Sequence, residues 1–75
     1  MNDIESAVQT AHEIRFAASE RPGRLKPSER AELYLLSVDY PNDLTDITAD
    51  EFVAEHVGVP LPSIRDAKVR IHALV

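Results

Sequence analysis

The sequence predicts an all-α domain of four helices, and three features predict it. Apolar residues recur at helical spacing, no segment shows the period-two alternation of a strand, and Pro and Gly fall between the periodic stretches. Seventy-five residues make a single domain, 1–75, near the lower limit for a self-sufficient core. At ~0.05–0.15 kcal/mol per residue, the expected stability is roughly 4–11 kcal/mol.

The first helix is expected over residues 3–20. Asn2 can cap it, with Glu5 in the capping-box position. Ile4, Ala7 or Val8, Ala11, Ile14 and Ala18 follow the helical spacing and make one face apolar. The alanines permit close approach to a neighbouring helix, either in this chain or in a second copy, so a homodimer through this helix is one expectation. Arg21, Pro22, Gly23 and Arg24 read as a linker.

The second helix opens at Pro27, a residue suited to the first helical position, with Glu29 near the positive helix end. Ala31, Leu33, Leu35, Leu36 and Val38 form an apolar surface too wide for a solvent-facing helix, which marks it as the central core helix. Pro41 disfavours helical geometry at Tyr40, so the helix is expected to end there. Tyr34 and Tyr40 are expected at the core edge with their hydroxyls in water. Asn42 to Ile47 reads as an acidic loop, with Leu44 packing back on the core.

The last two helices lie within Ile47 to Leu74. Thr48 is a natural N-cap, Glu51 completes a capping box, and Ile47 and Phe52 are spaced as a hydrophobic staple. Gly58 ends this helix, because a residue without Cβ takes the left-handed C′ conformation at little cost. Pro60 and Pro62 are tolerated in a first turn, so the last helix starts near Leu61. It is expected to bury Ile64, Ala67, Ile71 and Leu74. A helix, a tight Gly-containing turn and a second helix make the helix-turn-helix layout.

Ala54, Val57, Gly58, Val59 and Ile64 stand in the order of small, apolar, turn and anchor residues in such motifs. The run from Ala54 to Arg65 resembles region four of bacterial sigma factors and related response-regulator DNA-binding domains. Leu25 to Leu36 is similar to the helix that precedes the motif there. The resemblance covers residues 25–74 and departs at Pro41 to Ile47, which looks like an insertion. It implies a tri-helical DNA-binding unit at 25–74 preceded by the helix at 3–20.

Composition bounds the function. With no Cys, the chain has no disulfide and no thiol nucleophile, which suits a reducing cytoplasm. No apolar run approaches the ~20 residues of a membrane span, and the N-terminus lacks the pattern of a signal peptide. Arg outnumbers Lys six to two, a bias associated with GC-rich bacterial or phage genomes. The three histidines, His12, His56 and His72, show no metal-ligand spacing, and two glycines are too few for a phosphate-cradling loop. No metal, cofactor or enzymatic activity is therefore expected. Net charge is −5, and residues 39–55 carry six acids with no Lys or Arg, so any nucleic-acid contact must be local.

Two functions follow. The first is a DNA-binding transcriptional regulator, bacterial or phage. Its last helix would enter the major groove, Arg65 suits guanine, Ser63 suits phosphate or base, and Lys68 and Arg70 suit phosphates. The second is an acidic protein-interaction module on the same scaffold, binding host transcription or replication machinery. There Leu61, Pro62 and Val69 would form the contact, because they are apolar where base readers carry polar groups. An ordinary solvated face is the competing reading of Arg65, Lys68 and Arg70.

Overall fold

A computed structural model describes residues 4–20, 25–42 and 46–74, with the side chains of 18–20 excepted. The protein is all-α, with four helices and no strand among the described residues. Asn2, the linker from Arg21 to Arg24, Asp43 and Leu44 lie outside the described residues, as does the side chain of Ala18.

Helix α1 spans Ile4–Glu20. Ala7 and Ala11 are buried and Ile14 packs against the core, so the small residues set the close approach the spacing predicts. Ile4 is exposed instead, being placed at the open start of the helix a turn before the buried stripe.

Helix α2 spans Pro27–Ser37. The Lys26 N–H donates to Glu29 Oε1 at 3.3 Å, and Arg30 donates to the Leu25 carbonyl at 3.3 Å, which ties down its first turn. Its buried face is Ala31, Tyr34 and Leu35, continued by Val38 beyond the helix. Leu33 and Leu36, expected in the core, are 46% and 51% exposed. At 100° per residue they fall opposite the Ala31–Tyr34–Leu35 face. Tyr34, expected at the core edge, is fully buried, and its hydroxyl donates to the Ile47 carbonyl at 3.2 Å. That bond makes burial of a phenol tolerable.

Residue 37, rather than Tyr40, is the last of α2. Asp39 takes a left-handed conformation (φ 65°), Tyr40 N–H donates to Leu35 O at 2.9 Å, and Asp39 N–H donates to Leu36 O at 3.2 Å. These are the two bonds of a Schellman stop, with Asp where Gly is usual. The Tyr40–Pro41 peptide is cis.

A 3₁₀ turn, Asp46–Thr48, leads into α3, Asp50–Val53. Ala49, not Thr48, stands at the N-cap, and it has no side-chain cap bond. The reason is that the 3₁₀ turn, closed by Ala49 N–H to Asp46 O at 3.0 Å, draws Thr48 into the interior. The helix widens over Ala54–Gly58 to a π turn, with Val59 N–H donating to Ala54 O at 3.3 Å.

Gly58 ends that turn at φ 77°. The left-handed backbone favours glycine there, because it penalises a Cβ; the Arg15 Nε that a Cβ would meet at 2.9 Å ends a flexible exposed side chain of α1 and can shift. Val59 and Pro60 connect to α4, Leu61–Leu74. Ile64, Ala67 and Ile71 are buried against α2 and α3, as their spacing predicts. Fully burying Ile64 or Ile71 contributes about 1.5–3 kcal/mol each. Leu74 is exposed, because it ends the helix beyond the core.

Candidate functional site

Packing of Ile64, Ala67 and Ile71 determines which side of α4 faces solvent. Leu61, Pro62, Arg65, Asp66, Val69 and Arg70 are all exposed. Val69 is 69% exposed and lies close to opposite the buried stripe. Ser63 is half-buried, and its N–H donates to the Pro60 carbonyl at 3.1 Å, so it belongs to the first turn of the helix.

Lys68 points sideways, toward α3. Its ammonium donates to Asp50 Oδ1 at 2.7 Å and to the Thr48 carbonyl at 2.9 Å. It also lies 5.2 Å from the centre of the Tyr40 ring, within cation–π range. Lys68 and Asp50 side chains are only 23% and 29% exposed, so this pair is screened less than a surface pair. The ammonium therefore joins the loop before α3 to the middle of α4.

The two arginines differ from it. Arg65 is 79% exposed, and its Nε is 3.9 Å from Asp50 Oδ2, so the same carboxylate faces both cations. Arg70 is 59% exposed, with Nε 3.8 Å from Glu32 Oε1 on α2. Contacts at these distances and exposures contribute little to stability. They do place an acid beside each arginine.

Beyond Lys68, the Tyr40 hydroxyl and His72 Nε2 are 2.9 Å apart, with the rings edge to face at 5.5 Å. On α3 and its continuation, His56 stacks on Phe52 at 4.2 Å, and His56 Nδ1 is 3.0 Å from the Phe52 carbonyl. A carbonyl only accepts, so Nδ1 carries the proton in that bond. His12 is exposed on α1. No group of His, Asp or Glu among the described residues has the arrangement of a metal site.

Of the candidate residues read from sequence, α4 brings Leu61, Pro62, Arg65 and Val69 to the solvent side. Lys68 is turned inward to Asp50, and Arg70 is directed to Glu32. Sequence reading missed Asp50, Tyr40, His72 and the Thr48 carbonyl as parts of this surface. No local signal could have found them, because Asp50 and Tyr40 lie 18 and 32 residues from their partners. No family model matches the chain, and no curated protein or solved structure matches it either.

Proposed function

We propose that this chain is a protein-interaction module on a helix-turn-helix scaffold, with the outer side of α4 as its contact surface. One observation carries the reading: the two oxygens of Asp50 face Lys68 and Arg65, and Glu32 faces Arg70. A carboxylate beside a cation offsets its charge toward a phosphate backbone, which lowers the electrostatic gain on which nucleic-acid affinity mainly depends. What remains outward is Leu61, Pro62 and Val69, with Arg65 and Asp66 among them. The partner is a protein surface that is apolar at its centre and basic at its rim. The rim would face the exposed Asp46, Glu51 and Glu55 and speed encounter. A component of host transcription or replication machinery is the class of partner that the scaffold's resemblance suggests.

A second reading, DNA binding, is favoured by the exposure of Arg65 on the helix that follows the Gly58 turn. A photo-crosslinker at position 69 separates the two in bacterial extract. The proposal expects one discrete protein adduct, identified by mass spectrometry and suppressed by excess unlabelled chain but not by excess Val69→Asp. Adducts that form equally in the presence of either competitor count against it.

A further inference from the structure

The Asp50 carboxylate has a geometry that bears on more than folding. It sits at the edge of the protein, less than one-third exposed, with Oδ1 2.7 Å from the Lys68 ammonium and Oδ2 3.9 Å from Arg65 Nε. Two cations from one side of one helix thus converge on a single anion supplied by another helix. The ammonium also lies over the Tyr40 ring and donates to the Thr48 carbonyl. A cation pair one turn apart on a helix that follows a tight turn is the arrangement that a backbone phosphate would enter.

We infer that Asp50 is a specificity-determining residue: its carboxylate occupies the place of a nucleic-acid phosphate between Lys68 and Arg65 and so excludes nucleic acid from α4. The inference rests on the protein-binding reading and names the group that enforces it. The exclusion has two parts. The carboxylate satisfies the Lys68 ammonium, and its charge repels a phosphate approaching Arg65 from the same side. Asp66, exposed one residue after Arg65, adds a second negative charge on the outer side. Asp50 is the one whose oxygens lie against the cations themselves.

The test is a fluorescence titration of a mixed-sequence DNA duplex with the full chain, Asp50→Asn and Asp50→Ser, across a salt series. Asn keeps the side-chain shape and an oxygen for the Lys68 ammonium. Ser keeps a hydroxyl in the first turn of α3. The expected result is that both variants bind the duplex about tenfold or more tightly than the unmodified chain at low salt. The slope of log affinity against log salt should steepen by about 1 for Asp50→Asn, which frees Arg65 while Lys68 keeps an acceptor, and by about 2 for Asp50→Ser, which frees both. Adding Arg65→Ala to Asp50→Asn should remove most of the gain. Helical variants that bind no more tightly than the unmodified chain overturn the inference. If they stay flat while the position-69 adduct persists, the protein-binding reading survives without it. An unmodified chain that binds a specific sequence tightly overturns that reading itself.

Discussion

Lys68 Nζ lies 2.7 Å from Asp50 Oδ1, which makes the one basic residue of α4 that is mostly buried a tie between helices rather than a free cation. The same ammonium takes up the Thr48 carbonyl at 2.9 Å, a backbone acceptor within a buried residue. Lys68, expected from the sequence to hold a phosphate, is directed inward instead. What α4 presents outward is mixed: Leu61, Pro62 and Val69 beside Arg65 and Asp66.

Removing that tie has a measurable cost. Lys68→Ala leaves the Asp50 carboxylate and the Thr48 carbonyl short of a donor, and a lost charged hydrogen bond of this kind costs about 1–3 kcal/mol. Urea unfolding should register a fall in that range. Since ~1 kcal/mol shifts the melting temperature of a small domain by about 4–8 °C, thermal unfolding should fall too. An unchanged midpoint would mean the contact is absent in solution.

Gly58 is constrained by its own backbone. Gly58→Ala should cost about 1–2 kcal/mol for the left-handed conformation. Arg15 Nε, 2.9 Å from where the Cβ would stand, ends a flexible exposed side chain that can move aside, so Arg15→Ala should leave that cost unchanged in a double-mutant cycle. Strong coupling between the two substitutions would show that the guanidinium is held in place.

Tyr34→Phe probes the one phenol held in the core. It leaves the Ile47 carbonyl without the hydroxyl that donates to it, and the expected loss is about 1–2 kcal/mol with secondary structure intact. A variant as stable as the parent would return Tyr34 to the core edge, where sequence spacing puts it.

How legible was this in the sequence? The period of Ile64, Ala67 and Ile71 identified the buried side of α4, and Gly58 marked the stop before it, because both signals are local. Pro27 likewise fixed the start of α2. Failures cluster where a distant contact decided the outcome. Tyr34 is buried because Ile47, 13 residues away, accepts from its hydroxyl. Leu33 and Leu36 are exposed because the helices cover only one side of α2. Thr48 has the chemistry of a cap, yet a 3₁₀ turn places Ala49 there instead. For the candidate surface, composition indicated which α4 residues carry charge, but only the fold assigned Asp50 and Glu32 to them.

Val69→Asp should separate folding from binding. A residue this exposed contributes within about ±0.5 kcal/mol to stability, so unfolding should be unchanged. A charge at the apolar centre of the contact should abolish competition for the position-69 adduct. Loss of stability comparable to a core substitution such as Ile64→Ala, about 2–5 kcal/mol, would show that Val69 is packed.

The most direct measurement is retention of genomic DNA fragments by the unmodified chain at low and physiological salt, repeated with Arg65→Ala. With Lys68 held by Asp50 and Arg70 beside Glu32, no fragment should be selected, and any low-salt binding should vanish at physiological salt. A discrete fragment that is retained at physiological salt and lost with Arg65→Ala would contradict the account.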